Sequence, residues 1–330
     1  MSKVGIPRTL AYFIYFPLWK TFFEELGMEV IVSPPTTRAI LDRGVEEAVN
    51  DACIPIKLYH GHVAYLRDKA DYIFTPRLVS VRKHGDFGTE TFCPKFLGLP
   101  DMVRLAVEDL PAMIDARVDL KKGRHELTNV AREIGLQLGK SLEEIKRAQR
   151  KALSVHNQYK KLLGQQILPV RAMEILFGEK EKDDLIENPE LAIAVVGYPY
   201  AIYDPYINGG LLDILSREKV RVLTQDMLSD RILNREANKL PKSLFWYFSN
   251  RAVYGTLHFM DRQKVDGVIH VTAFACGPDS IVDRLLEIEA RRRQVPYLAV
   301  AIDEHTGEAG VRTRVEAFMD MLRFRKEGKM

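Results

Sequence analysis

Cysteine is scarce in this chain, and long apolar runs are absent from it. Its 330 residues include three cysteines, and this odd number argues against a disulfide framework, so a reducing compartment is expected. No stretch reaches the ~18 apolar residues that a membrane helix needs. The first residues lack the apolar region and cleavage site of a signal peptide. We therefore expect a cytoplasmic protein without a membrane partner.

Charges of the two signs are balanced, and nucleotide-binding motifs are missing. The 48 basic and 45 acidic residues leave a net charge of +3, which does not indicate a nucleic-acid partner. Because the chain has no Walker A motif, we do not expect it to be an ATPase. The apolar fraction of 46% is typical of a chain that folds around a buried core, and the length suits two α/β domains.

Strand and helix patterns alternate along both halves of the chain. Short apolar runs alternate with helical stretches, which predicts βαβ units with parallel sheets and hence the α/β class. The segment Val-Gly-Ile-Pro at residues 4–7 corresponds to Val-Gly-Tyr-Pro at residues 196–199, and later strands recur at nearly the same spacing. We therefore predict two similar lobes, in which Val4–Ile6 and Ala192–Val196 are equivalent central strands of separate parallel sheets.

A charged helical stretch separates the two predicted lobes. Ser141 and Glu144 have the spacing of a capping box, which predicts the start of a long helix. The predicted domains are a first α/β lobe at residues 1–120, a helical connector packing on both lobes at 121–188, and a second α/β lobe at 189–330.

The three cysteines share one local pattern. Proline follows each of them within two residues, in Cys53-Ile54-Pro55, Cys93-Pro94 and Cys276-Gly277-Pro278. Proline opposes helix at the preceding residue and favours the first helical turn, so each cysteine is predicted to lie at the start of a helix. Backbone N–H groups there can face an anionic thiolate or sulfide. This pattern favours an iron–sulfur cluster held by three thiolates.

Two other roles for the cysteines are compatible with the sequence. They could be small buried apolar residues, which is the usual role of a cysteine outside disulfides. They could also bind zinc together with one histidine. The histidines considered for that position are His60, His62 and His84.

Two further candidates follow the predicted strand Tyr297–Ile302. Glu304 and His305 lie just past its end, and residues at the carboxyl ends of parallel strands line the ligand crevice of α/β sheets. They are therefore candidate catalytic residues that could relay protons near a cluster. The alternative is that this segment only orders a loop, with Asp303 or Thr306 accepting hydrogen bonds from backbone N–H groups.

A family resemblance follows from the combination of these motifs. The segments that carry it lie at residues 5–8, 53–57, 61–63, 92–94, 274–279, 303–310 and 313–318. Together they resemble the 2-hydroxyacyl-CoA dehydratase family, and within it the branch of short proteins related to the acyl-CoA dehydratase activase. The last two segments, taken together, are quite specific.

The resemblance implies a fold, a cofactor and a partner. It implies two flavodoxin-like or Rossmann-like lobes with a [4Fe–4S] cluster in the cleft between them, alone or as part of a larger bridged cluster. Cys53, Cys93 and Cys276 would be its protein ligands, so that one iron has no protein thiolate. An ATP-dependent activator carrying its own [4Fe–4S] cluster would deliver single electrons.

The resemblance also implies a reaction. Dehydratases of this type remove water from a 2-hydroxyacyl-CoA through a ketyl radical, and related proteins reduce small molecules. The chain is therefore expected to be a lyase or a cluster-dependent reductase that acts on a small substrate such as an acyl-CoA, as a homodimer or heterodimer. Dehydratase subunits are longer, however, and no CoA pocket is identifiable in this chain. A non-catalytic cluster carrier or electron-transfer partner therefore remains an alternative, as does a zinc-stabilised structural protein.

Overall fold

The computed structural model describes residues 1–82, 90–123, 125–180, 189–261 and 265–328. The strands in these residues are β1 (Lys3–Ile6), β2 (Glu29–Val32), β3 (Tyr72–Phe74), β4 (Arg77–Arg82), β5 (Glu90–Thr91), β6 (Ala112–Ile114), β7 (Arg117–Asp119), β8 (Ala192–Gly197), β9 (Arg221–Leu223), β10 (Gly267–Ala273) and β11 (Tyr297–Ile302). The α-helices are α1 (Tyr12–Glu25), α2 (Arg38–Glu47), α3 (Ile54–Leu66), α4 (Pro94–Ala106), α5 (Glu126–Gln137), α6 (Leu142–Gly164), α7 (Pro169–Leu176), α8 (Pro199–Tyr203), α9 (Leu211–Arg217), α10 (Asp230–Ala237), α11 (Tyr247–Asp261), α12 (Gly277–Arg292) and α13 (Glu308–Lys326). The predicted α/β class is confirmed.

These elements fall into two compact units. Unit 1 contains Met1–Lys161 and Lys242–Tyr247, and unit 2 contains Leu162–Pro241 and Phe248–Met330. The domain limits predicted from the sequence, at 1–120, 121–188 and 189–330, stay a prediction. In the part of the chain that the structure describes, no helix combines the length and the apolar character needed to cross a membrane.

Each unit is built around a four-stranded parallel sheet. In unit 1 the strand order is β2-β1-β3-β6, with Val4 paired to Val30 on one side and to Tyr72 on the other. In unit 2 the order is β9-β8-β10-β11. In both sheets the second strand lies on one side of the first and the later strands lie on the other, which is the order of flavodoxin-like sheets. The predicted lobes, with Val4–Ile6 and Ala192–Val196 as equivalent inner strands, are confirmed.

Unit 1 also contains a third sheet that the sequence does not predict. Its order is β5-β4-β7, with β4 antiparallel to β5 and parallel to β7, and both pairings contain a register shift. The strands are short and carry charged side chains, among them Arg82 and the buried Glu90, which form an ion pair at 2.6 Å. The alternation of apolar and polar residues that predicts a strand is therefore weak in this segment.

Local sequence signals place helix ends correctly. Gly27, with a φ of +77°, follows α1 in the left-handed conformation that commonly ends a helix. The predicted capping box is present, because the Glu144 N–H donates to Ser141 Oγ at 3.3 Å and the Ser141 N–H donates to Glu144 Oε2 at 2.9 Å. The long helix α6 therefore starts where the sequence predicts it.

The helices α2 and α3 touch through their backbones. A Cβ atom at Gly61 would lie 2.0 Å from the carbonyl oxygen of Ile40, and one at Gly44 would lie 1.9 Å from the carbonyl oxygen of Lys57. Only hydrogen fits at these two positions, so the glycines set the distance between the helices. Because α3 follows Cys53 directly, this contact also sets the position of that thiol.

A buried group of ionisable side chains, here called the His270 cluster, joins β10 to α12 in unit 2. The ring nitrogens of His270 lie 3.3 Å from Asp279 Oδ1 and 3.0 Å from Asp283 Oδ1, and the Tyr297 hydroxyl donates to the same Asp283 oxygen at 2.6 Å. The His270 side chain is 0% exposed. Burial lowers the pKa of His270, but the two carboxylates outweigh burial and raise this pKa to about 9. A charged imidazolium therefore holds α12 against the strand that precedes it.

Replacing Gly61 by alanine tests the contact between α2 and α3. Gly61→Ala should lower the free energy of unfolding by about 2 kcal/mol or more, because the added methyl group forces the two backbones apart. Gly98→Ala is the matched control, since Gly98 lies inside α4 but has open space around its Cβ position among the described residues. The control should be neutral or stabilising by ~0.5–1 kcal/mol. Equal midpoints of urea unfolding for the two variants would contradict the contact.

The His270 cluster predicts how stability depends on pH. The pKa of His270 in the folded state, about 9, lies above its ordinary value of 6.5, so its stabilising contribution is complete below 6.5 and is lost as the pH rises through 9. The free energy of unfolding should therefore fall by about 3 kcal/mol over this range. Urea unfolding of the wild type and of His270→Gln at several pH values measures the effect. The variant should lose this pH dependence, and a decline of equal size in both proteins would assign it to other groups.

Candidate functional site

Each of the three cysteines occupies the N-cap position of a helix. Cys53 precedes α3, Cys93 precedes α4 and Cys276 precedes α12, and each helix has proline at its first or second position. All three side chains are half-buried thiols. The predicted placement at helix starts is confirmed, and it puts each cysteine at the positive end of a helix dipole.

Cys53 and Cys93 are neighbours within unit 1, and Lys95 links them. The Lys95 Nζ atom donates to Cys53 Sγ at 3.5 Å. Burial raises the pKa of Cys93 and the nearby Cys53 sulfur adds to this effect, whereas the backbone N–H and the ammonium group of Lys95 oppose it. Two sulfurs that start different helices therefore share one cation. The sequence gives a single signal for Lys95, its position two residues after a cysteine.

Cys276 follows a sharp turn at the carboxyl end of β10. The turn passes through Ala275, whose φ of +61° lies in a left-handed region that residues other than glycine rarely adopt. The Cys276 N–H donates to the carbonyl oxygen of Ala273 at 3.1 Å, and the Cys276 carbonyl accepts from the Ser280 N–H at 2.9 Å. Backbone strain of this kind is frequent at functional sites. The turn places Cys276 directly between a buried strand and the first turn of α12.

The His270 cluster lies on both sides of Cys276 along the chain, and the sequence did not predict it. Its signals are weak, namely one histidine within the apolar strand β10 and two aspartates four residues apart on α12. A lone histidine in such a strand is usually a structural residue, and the pairing with the aspartates depends on how strand and helix pack. The His270 cluster holds the segment that carries Cys276 against its sheet.

Glu304 and His305 lie in a tight turn between β11 and α13. Asp303 organises this turn, because its carboxylate accepts from the His305 N–H at 2.9 Å and from the Thr306 hydroxyl at 2.8 Å. The hydrogen bond from Thr306 also lowers the pKa of Asp303. His305 is exposed and Glu304 is half-buried. The loop-ordering role considered for Asp303 is therefore present, and the catalytic role of Glu304 and His305 stays a prediction.

Two of the histidines considered as zinc ligands have other partners. The two ring nitrogens of His62 lie 2.8 Å from Ser33 Oγ and 3.0 Å from Thr36 Oγ1. The Nδ1 atom of His60 lies 2.8 Å from a backbone carbonyl oxygen of its own helix. His84 lies outside the described residues. Among the residues that are described, no group of three or more His, Cys, Asp or Glu side chains is arranged to hold a metal ion.

Two family models match the chain, and together they span most of its length. Residues 3–228 match the model described as CoA enzyme activase uncharacterised domain (DUF2229), a match that covers more than half of the chain and includes Cys53 and Cys93. Residues 204–322 match the model of the 2-hydroxyglutaryl-CoA dehydratase D-component and include Cys276, Glu304 and His305. No curated protein matches the chain. The predicted resemblance is confirmed: the chain belongs to the family of the CoA enzyme activase uncharacterised domain, which is related to the 2-hydroxyacyl-CoA dehydratases.

Proposed function

We propose that this chain is the iron–sulfur component of a dehydratase-type system and that its three cysteines together bind one [4Fe–4S] cluster. The observation that carries the proposal is a shared placement, since Cys53, Cys93 and Cys276 each begin a helix that has proline in its first turn. The position of Lys95 beside two of the thiols supports the same proposal. The matches to the activase-related and dehydratase models supply its chemical context.

The surroundings of the cysteines suit an anionic cofactor. The positive ends of three helices favour negative charge at the N-cap thiols, and thiolates are the ligands that iron–sulfur clusters require. In unit 1 the ammonium group of Lys95 adds a full positive charge beside Cys53. Burial raises the pKa of Cys93, and a bound metal would overcome this effect because it removes the proton from a coordinating thiol.

When bound, such a cluster supplies one-electron chemistry, and three protein thiolates leave one of its irons open to another ligand. The residues of the chain would perform the remaining tasks. Lys95 would stabilise negative charge at Cys53, and the His270 cluster would hold α12, and with it Cys276, in place.

His305 is proposed to supply or accept the proton that the reaction needs. Its exposed ring lies in the turn that Asp303 orders, at the carboxyl end of β11, where a proton donor can reach a ligand bound at the sheet edge. Glu304, the preceding residue, would share this role.

We propose radical dehydration of a 2-hydroxyacyl-CoA, or reduction of another small substrate, as the reaction. The match of residues 204–322 to the dehydratase D-component supports the dehydrating form. An ATP-dependent activator carrying its own [4Fe–4S] cluster would supply the electrons, because the chain has no Walker A motif of its own. The protein would act in the cytoplasm as a homodimer or heterodimer.

Single cysteine variants test the ligand set. Cys53→Ser, Cys93→Ser and Cys276→Ser should each lose most of the iron and acid-labile sulfide that the wild type holds after anaerobic reconstitution, because each removes one of three thiolate ligands. His305→Gln is the matched control and should retain both, since His305 is proposed to handle protons and not to bind iron. A cysteine variant that keeps the iron and sulfide of the wild type is not a cluster ligand, and the proposed set would be wrong.

Electron transfer from an activator tests the proposed partner. An activator of the ATP-dependent class, reduced and supplied with ATP, should change the visible absorption and the electron paramagnetic resonance spectrum of the cluster in this chain under anaerobic conditions. The same activator supplied with ADP should leave both spectra unchanged. If the cluster takes up no electron with ATP, the reductive mechanism loses its first step and a non-catalytic role is favoured.

A further inference from the structure

We propose that Lys95 raises the reduction potential of the iron–sulfur cluster and is not needed to hold its iron. Lys95 would act on the uptake of the electron, so its role rests on the proposed function. It lies in the first turn of α4, two residues after Cys93, and its Nζ atom donates to Cys53 Sγ at 3.5 Å. One side chain therefore reaches from the helix that Cys93 begins to the cysteine that precedes α3.

The charge of Lys95 is not balanced by a carboxylate of the described residues. Lys95 is half-buried, and within the ranges that the structure describes its ammonium group forms no ion pair with an aspartate or a glutamate. Other half-buried cations have such partners, since Arg77 pairs with Asp101 at 2.6 Å and Arg293 pairs with Asp261 at 2.7 Å. The field of a paired cation is largely cancelled by its partner, whereas Lys95 presents its full charge to the neighbouring sulfur.

A fixed positive charge at this place favours the reduced form of a cluster. Reduction adds one negative charge, and a metal bonded to the Cys53 sulfur would lie close to the ammonium group, which stabilises the added charge by Coulomb attraction. Hydrogen bonds to the sulfurs are a second determinant of the potential. The side chain of Lys95 donates one to Cys53, and its backbone N–H interacts with Cys93. Charge and hydrogen bonding therefore both act on two of the three proposed ligands.

The effect of Lys95 on the potential can be separated from the binding of iron. A lysine ammonium group has three N–H donors and no lone pair, so it cannot be a ligand of iron. The thiolates alone hold the metal, and removing the ammonium group leaves each of them in place. Loss of Lys95 should therefore leave the iron content unchanged and make the cluster harder for an activator to reduce.

Anaerobic redox titration of the reconstituted full chain tests the effect on the potential. Lys95→Met keeps most of the side-chain length and removes the charge, so the one-electron equilibrium should shift about tenfold or more towards the oxidised form, a fall of ~59 mV in midpoint potential. Lys95→Arg keeps the charge and should stay closer to the wild type. Lys151→Met is the matched control and should not shift the potential, since Lys151 is exposed on α6. Iron and acid-labile sulfide should be equal in all four proteins.

The possible results distinguish the role of Lys95 from the proposed function. A wild type that holds no iron and sulfide would overturn the proposed function, and the role of Lys95 with it. A Lys95→Met variant that holds the cluster at the potential of the wild type would overturn the role of Lys95 alone. Loss of iron in Lys95→Met would also overturn it, because Lys95 would then act in assembly. Equal shifts in Lys95→Met and Lys95→Arg would assign the effect to packing instead of charge, which overturns it as well.

Discussion

The partial positive charge at the start of an α-helix is the interaction on which the candidate site depends. The first turn of a helix has backbone N–H groups without partners inside the helix, so it favours an anion at the N-cap position. Cys53, Cys93 and Cys276 all occupy that position. Proline suits the turn that follows, because it has no N–H group to leave unpaired and its φ is already helical. One local sequence signal therefore places all three cysteines at helix N-termini.

Contacts within each unit keep these helix starts in place, and the two units use different kinds of contact. In unit 1 the means is steric, since Gly44 and Gly61 allow α2 and α3 to meet backbone to backbone and so set where α3 begins. In unit 2 it is electrostatic, since the buried imidazolium of His270 lies between two carboxylates of α12 and holds that helix against β10. Because a buried charge without partners is costly, the His270 cluster resists displacement of α12 from its strand.

Local patterns in the sequence predicted the secondary structure and the two parallel sheets. They did not predict contacts between residues that lie far apart along the chain. Alternating strand and helix patterns predicted the two parallel sheets, and proline after each cysteine predicted the helix starts. The approach of Lys95 to Cys53 joins residues 42 positions apart, and no local pattern contains it. The third sheet was not predicted because its strands are two to six residues long and partly charged.

Analysis of iron, acid-labile sulfide and zinc in one anaerobically purified and reconstituted sample of the wild-type chain tests the central claim most directly. If the three cysteines bind one cluster, the sample contains about four irons and four sulfides per chain and no stoichiometric zinc. A folded protein with one zinc per chain and neither iron nor sulfide would contradict the claim, because tetrahedral zinc would then occupy the thiolates in a structural role.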